Sequence, residues 1–146
     1  MSTQSTRTAT LADAPELARL LTLLGHDMAV GELEARWPDW AAAGNSALVA
    51  PGEQGGLLGV AVLHRMHVLH RPRPVGRITA LIVDPSARGR EVGRVLVEAG
   101  EAALEEAGCG LLEITSNVRL VEAHAFYEHL GYERSSVRFS RDLVEH

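Results

Sequence analysis

Ile82-Val83-Asp84-Pro85-Ser86-Ala87-Arg88-Gly89-Arg90-Glu91-Val92-Gly93-Arg94-Val95-Leu96 is the stretch that decides how this chain folds. The mostly β-branched and apolar run Ile78–Val83 leads into it and stops at Asp84-Pro85, the pattern of a buried central strand. A tight turn follows, and a helix starts at once. Val92, Val95, Leu96, Ala99, Ala103 and Ala107 recur on one face of that helix, and Gly108 is placed to close it. A strand that runs straight into a helix start rich in glycine and arginine is a seat for an anion. The first N–H groups of a helix have no intrahelical acceptor, and the macrodipole favours negative charge beside them. Gly89 and Gly93 let a phosphate approach the backbone, while Arg88, Arg90 and Arg94 add positive charge. The same residues also fit an ordinary strand–turn–helix link with solvated arginines, because glycine-rich turns are common.

Toward the C-terminus, Gly110–Thr115 reads as a strand and Leu120–Leu130 as a helix. That helix carries Ala123, Phe126, Tyr127 and Leu130 on one face and Gly131 at its end. Alternation over Val137–Leu143 predicts a last strand. Toward the N-terminus, Arg71-Pro72-Arg73-Pro74 is a stiff connection out of a hairpin. The hairpin arms are Ser46–Ala50 and Leu57–Val68, around a turn at Pro51–Gly56. Gly31–Ala42 reads as a helix interrupted at Trp37-Pro38. Leu17, Leu20, Leu21 and Leu24 mark an earlier helix, opened by a capping box of Asp13 and Glu16 and stopped at Gly25. Arg7–Thr10 is a short extended start. The order β-α-α-β-β-β-α-β-α-β is α/β, with an antiparallel front half and a β-α-β-α back half. A chain of 146 residues without repeat, low-complexity segment or linker is expected to form a single domain over residues 1–146.

Composition excludes several functions. A net charge of −5 argues against a nucleic-acid partner held by phosphate attraction. All 14 basic residues are arginine, which removes a Walker A loop and any lysine Schiff-base chemistry. No apolar run approaches ~18 residues, so no membrane span is expected. The start MSTQSTRTAT lacks the basic and apolar regions of a secretory signal. Cys109 is the single cysteine, so neither an internal disulfide nor a cysteine zinc site is expected, and a reducing cytoplasm fits. The Ala/Arg/Gly/Leu bias suggests a GC-rich bacterial genome. His64, His67 and His70 are evenly spaced, but residues three apart on a strand point to opposite faces, so the trio does not converge on a metal.

The segment Arg88-Gly89-Arg90-Glu91-Val92-Gly93 resembles the acyl-CoA pyrophosphate loop of the GCN5-related N-acetyltransferase (GNAT) superfamily, whose pattern is Arg/Gln-x-x-Gly-x-Gly/Ala. A second family block agrees in order and spacing: Ser116-Asn117, then Ala123, Phe126-Tyr127 and Leu130-Gly131-Tyr132. The resemblance covers about residues 7 to 143, and the C-terminal third looks most like small-amine acetyltransferases of the aminoalkylphosphonate type. It implies a GNAT fold, with a central mixed sheet of six to seven strands flanked by about four helices. It also implies transfer of an acetyl group from acetyl-CoA to a small-molecule or peptide amine in a ternary complex, without a metal. Homodimerisation stays open.

By the same resemblance, Leu81, Ile82, Val83, Arg88, Gly89, Arg90, Glu91, Val92, Gly93, Arg94, Asn117 and Tyr127 bind the coenzyme. The N–H groups of Ile82 and Val83 would polarise the thioester carbonyl, and Tyr127 would protonate the leaving thiolate. Tyr127 also fits a plain core aromatic on its helix. Two positions depart from the family pattern. Glu91 stands where the first motif glycine is usual, and Ala80 stands where many relatives carry a glutamate base. Glu113 or a histidine, working through water, are the substitutes in view. These departures keep open a non-catalytic acyl-CoA sensor or partner domain. A nucleotide-binding domain is a weaker third reading, disfavoured by the missing lysine and the missing acidic metal ligands after a strand. Trp37 and Trp40 read as packing residues that border the acceptor side.

Overall fold

The computed structural model describes residues 4–89, 91–116 and 121–144. The chain divides into two compact units, one ending at Thr115 and one starting at Ser116. The first holds a mixed sheet of five strands in the order β1-β2-β3-β4-β5. These are β1 (Arg7–Thr8), β2 (Asn45–Pro51), β3 (Leu57–Met66), β4 (Val75–Val83) and β5 (Leu111–Ile114). The first four pair antiparallel, and β4 pairs parallel with β5. A parallel pair needs a crossover, and α3 (Val92–Glu106) supplies it. Helices α1 (Ala14–Leu23) and α2 (Val30–Ala42) precede the hairpin, and α4 (Val121–His129) belongs to the second unit. No described helix is long and apolar enough to cross a membrane.

The strand count corrects the expectation of six to seven, since five are found among the described residues. The alternating segment Val137–Leu143 forms no strand there. Val137, Phe139 and Leu143 stay 74%, 92% and 87% exposed. Alternation marks a segment with two faces, but a strand exists only where a neighbouring backbone completes the ladder.

The sheet separates two apolar layers. On one face, Leu17, Ala18 and Leu20 of α1 and Leu33 of α2 pack with Ala47, Val49, Val60 and Ile82. On the other face α3 lies close, because the sheet meets it with glycine. A Cβ added at Gly59 would stand 2.9 Å from Leu96 Cδ1, and one added at Gly100 would stand 3.1 Å from Leu63. The buried stripe of α3 is Val92, Leu96, Val97, Gly100 and Leu104. It is turned from the expected alanine-based stripe: Val95, Ala99 and Ala103 are only half-buried, and Ala107 is exposed. Glycine carries no hydrophobic signal in a periodicity reading, yet here it sits at the tightest contact.

Helix α2 runs unbroken through Pro38, in place of the predicted interruption. The ring removes one helical donor without stopping the helix, and Asn45 Nδ2 donates to the Trp40 carbonyl at 2.9 Å after the helix ends. The N-terminal capping arrangement also differs from the reading. Asp13 accepts from the Thr10 N–H at 2.9 Å, and Glu16 accepts from the Leu57 N–H at 2.9 Å, which ties α1 to β3.

Candidate active site

Strand β4 changes character midway. From Val75 to Ile78 it is paired on both flanks, with Met66–Leu63 on one side and Leu111–Ile114 on the other. An irregularity in its pairing with β3 follows, where Val62 faces Ala80 and Leu63 faces Ile78. Thr79 is the extra residue, and its hydroxyl donates to the Val62 carbonyl at 3.3 Å. Pairing with β5 ends at Ile78 and Ile114, so Thr79–Val83 runs on with β3 as its sole described ladder partner.

Backbone direction alternates along a strand, and one bond fixes the phase here. Asp84 N–H donates to the Leu58 carbonyl at 2.7 Å, so Asp84, Ile82 and Ala80 turn their backbone groups toward β3. Leu81 and Val83 turn theirs away, toward the side that β5 has left. This corrects one assignment. Ile82, expected with Val83 to polarise a carbonyl, has its N–H in the β3 ladder. Leu81 and Val83 are the pair with donors at the open edge, and both side chains are half-buried.

The open edge leads into a braced turn. Asp84 accepts from Ser86 N–H at 2.9 Å and from its hydroxyl at 2.7 Å, and it receives Arg19 on its other oxygen. Hydrogen bonds from Ser86, then the Arg19 guanidinium, hold the Asp84 carboxyl down to about 2. Arg19 also binds Glu16 at 2.9 Å and the Leu57 carbonyl at 3.0 Å. One arginine therefore locks α1, β3 and the turn together. The sequence reading missed this brace; the spacing of Glu16 and Arg19 was its only local trace.

Beyond a short 3₁₀ turn at Pro85–Ala87, Arg88 is extended and exposed, and Gly89 takes φ +83°. Glu91, the residue just before α3, has φ 60° and ψ 17°. It is the single non-glycine residue with positive φ among the described residues. An L residue there carries strain of about 1–2 kcal/mol, which glycine does not. The glycine usual in this position thus has a conformational reason, and the chain keeps the conformation without the residue. The Glu91 side chain is 66% exposed and pairs with Arg94 at 3.5 Å, while Arg94 also meets Glu98 at 3.4 Å. Its carboxylate makes no capping hydrogen bond to the helix start and engages the charge of Arg94. Val92 is buried and Gly93 half-buried in the first turn of α3.

Tyr127 lies on α4, half-buried, with ring neighbours Phe126 at 5.5 Å and Tyr132 at 6.5 Å. Burial raises its phenol above the ordinary value, which keeps the proton on the oxygen. Arg90 and Asn117 lie outside the described residues. Glu113 sits on β5 opposite Arg77 and binds it at 3.0 Å, a tie that competes with service as a base. His64 lies on β3, whereas His67 and His70 follow it in the loop. No group of three His, Cys, Asp or Glu side chains among the described residues could hold a metal ion. Cys109 is buried, and burial pushes its thiol up.

Known proteins share the family and the fold of this chain. The sequence model of the acetyltransferase (GNAT) family matches residues 17–132. An aminoalkylphosphonate N-acetyltransferase of Salmonella typhimurium is 35% identical over 89 residues, 61% of this chain and 58% of that protein. An aminoglycoside N(6')-acetyltransferase type 1 of Stenotrophomonas maltophilia is 34% identical over 136 residues, 92% of this chain and 89% of its own length. The match thus spans less than two thirds of the first relative and most of the second. Among solved structures, a Trypanosoma brucei acetyltransferase is 25% identical and superposes with a TM-score of 0.85 over 97% of this chain and 100% of its own. A family match across most of the chain, joined to an open β4 edge that runs into a helix start, makes this chain a member of the GNAT family of acetyltransferases.

Proposed function

We propose that this chain transfers the acetyl group of acetyl-CoA to the amine of a small molecule, by direct attack within a ternary complex. The observation that carries the reading is the edge of β4 beyond Ile78. It offers backbone donors at Leu81 and Val83 and ends, through a braced turn, at the start of α3. Residues 1–146 act as one domain in this reading, since the family match crosses from the first unit into the second. The pyrophosphate lies at Arg88, Gly89, Arg90 and the first N–H groups of α3, including Val92, Gly93 and Arg94. Asn117 adds a contact to the coenzyme.

The thioester lies along the open edge, with Leu81 and Val83 donating to its oxygen as charge develops there. The amine nitrogen bonds to the carbonyl carbon, the carbon–sulfur bond breaks, and Tyr127 gives its proton to the departing sulfur. The amine's own proton passes to water, because Ala80 offers no base and Glu113 is held by Arg77. Bacterial relatives named for an aminoalkylphosphonate and an aminoglycoside support a small-molecule acceptor and a bacterial setting.

Two measurements test this. Calorimetric titration with acetyl-CoA should show saturable binding that Gly93→Asp, which places a carboxylate in the first turn of α3, weakens at least ~10-fold. Thiol release from acetyl-CoA over a panel of amines should be amine-dependent. Binding without amine-dependent release would favour the sensor reading, which Ala80 supports; no binding by the folded protein would sink both.

A further inference from the structure

On the face of the sheet opposite α3, a cavity of about 220 Å³ opens between α1, α2, the loop joining them and strands β2 and β3. Its walls include Leu21, Met28, Trp37 and Trp40, and Val60 and Val62 line it from β3. Five of these, Leu21, Met28, Trp37, Trp40 and Val62, are only partly buried, although they pack on the core. Native interiors rarely keep voids larger than a water molecule, and a dry cavity of about 150 Å³ is enough to hold benzene. Half-covered tryptophans around a concave apolar space are therefore better explained by a ligand than by loose packing. Arg36 is the one charged residue in the lining, and its guanidinium is engaged with Glu32 at 3.8 Å and the Met28 sulfur at 3.5 Å.

The cavity's place matters as much as its chemistry. Val62 and Val60 are the cross-strand partners of Ala80 and Ile82, in the half of β4 that β5 has left. Neighbouring strands stand ~4.8 Å apart, so a nitrogen poised over Ala80 is roughly three to four bonds from the cavity.

We infer that the acceptor of this chain is an amine bearing an apolar group the size of one aromatic ring, and that this cavity receives that group. The inference rests on the acetyltransferase reading and narrows its substrate class. It sets this chain apart from what its relatives' names suggest, since sugar hydroxyls or a phosphonate placed here would lose their water against walls that offer almost no hydrogen bonds. Burying a ring is worth about 1.5–3 kcal/mol, or roughly 10- to 100-fold in kcat/KM.

Trp37 and Trp40 are the only tryptophans in the chain, so intrinsic fluorescence reports on the cavity whether or not acetyl transfer occurs. The full chain is titrated with 2-phenylethylamine, ethylamine, 2-aminoethylphosphonate and kanamycin, and the same amines are assayed with acetyl-CoA. The expected result is a saturable change in emission with 2-phenylethylamine alone, and a kcat/KM for it at least ~10-fold above the other three. Val62→Phe, which fills the cavity from β3, should lower the ratio of 2-phenylethylamine to ethylamine turnover ~10-fold. If that variant does not fold, Met28→Phe, in the loop between α1 and α2, replaces it.

Turnover of a polar amine with no emission change by 2-phenylethylamine would overturn the cavity's role and leave the acetyltransferase reading standing. A saturable change in emission with no amine acetylated would do the reverse. Emission that responds to protein concentration rather than to amines would assign the cavity to a second copy of the chain and also overturn the inference.

Discussion

Strand β4 is held from both flanks between Val75 and Ile78, and from one flank between Thr79 and Val83. In the first half, every backbone group has a neighbouring strand to meet, and the side chains explain the sequence. Gly76 admits Leu104, Ile78 fills the space under Gly100, and Arg77 reaches Glu113. In the second half, the apolar side chains look the same in sequence, yet the backbone at Leu81 and Val83 faces a side without a partner strand among the described residues. A buried strand that leaves donors unused is costly unless something else accepts from them. The two halves teach that, in this fold, the pairing of the backbone separates two stretches that residue type alone does not distinguish.

The largest test of the open half comes from the residue proposed to finish the reaction there. Tyr127→Phe keeps the ring beside Phe126 and Tyr132 and deletes the hydroxyl. If that hydroxyl protonates the leaving sulfur, kcat should fall ~10²-fold or more with acetyl-CoA affinity nearly unchanged. Thermal unfolding should move little, because packing is preserved. Burial holds the Tyr127 phenol above its ordinary value, so the proton stays in place until pH passes that raised value. Activity lost by deprotonation should therefore appear only above pH ~10. Normal turnover in the variant would return Tyr127 to the role of a core aromatic.

The next effect is smaller and concerns the face over Ala80. With alanine at position 80 and Glu113 tied to Arg77, the proposed loss of the amine's proton to water predicts a rate that keeps rising with pH toward the amine's own pKa near ~10. Ala80→Glu puts a carboxylate across from Val62, beside the cavity, and should carry the rising limb to lower pH. Assays of kcat/KM from pH 6 to 10 in both proteins decide it. A plateau near pH 7 that ignores the substitution would assign the base to another residue.

Much of this architecture was legible. The strand ending at Asp84-Pro85, the start of α3 at Val92 and the helix carrying Tyr127 all announce themselves by apolar periodicity or by turn residues. The family blocks pointed to the GNAT family, which the match over residues 17–132 shows. Three things could not be read. The sixth strand looked real because Val137, Phe139 and Leu143 alternate, but alternation does not supply a partner backbone. The donors at Leu81 and Val83 depend on a one-residue irregularity at Thr79, which leaves no compositional mark. The brace of Arg19 on Asp84 joins residues 65 positions apart, a separation that no local pattern encodes.

The smallest expected effect isolates one residue of the donor side. Glu91 holds φ 60° at the threshold of α3 and pairs with Arg94 at 3.5 Å. Glu91→Gly removes both the strain and the carboxylate, and Glu91→Ala removes the carboxylate while keeping a Cβ in the left-handed region. Relief of strain, less the extra freedom glycine gains when unfolded, should stabilise the first variant by ~0.5–1 kcal/mol. A rise of a few degrees in Tm, absent in the alanine variant, would register it. Coenzyme affinity should sort differently. Both variants release Arg94 from one of its two acidic neighbours and lower the negative charge near the phosphates, so both should bind acetyl-CoA roughly 2- to 5-fold more tightly at low salt. Tighter binding in glycine alone would place the effect in backbone geometry, with the open N–H groups of α3 gaining freedom to turn toward the phosphate. Weaker binding in both, at unchanged stability, would mean that Glu91 orients Arg94 toward the coenzyme, and the glutamate would then count among the binding residues.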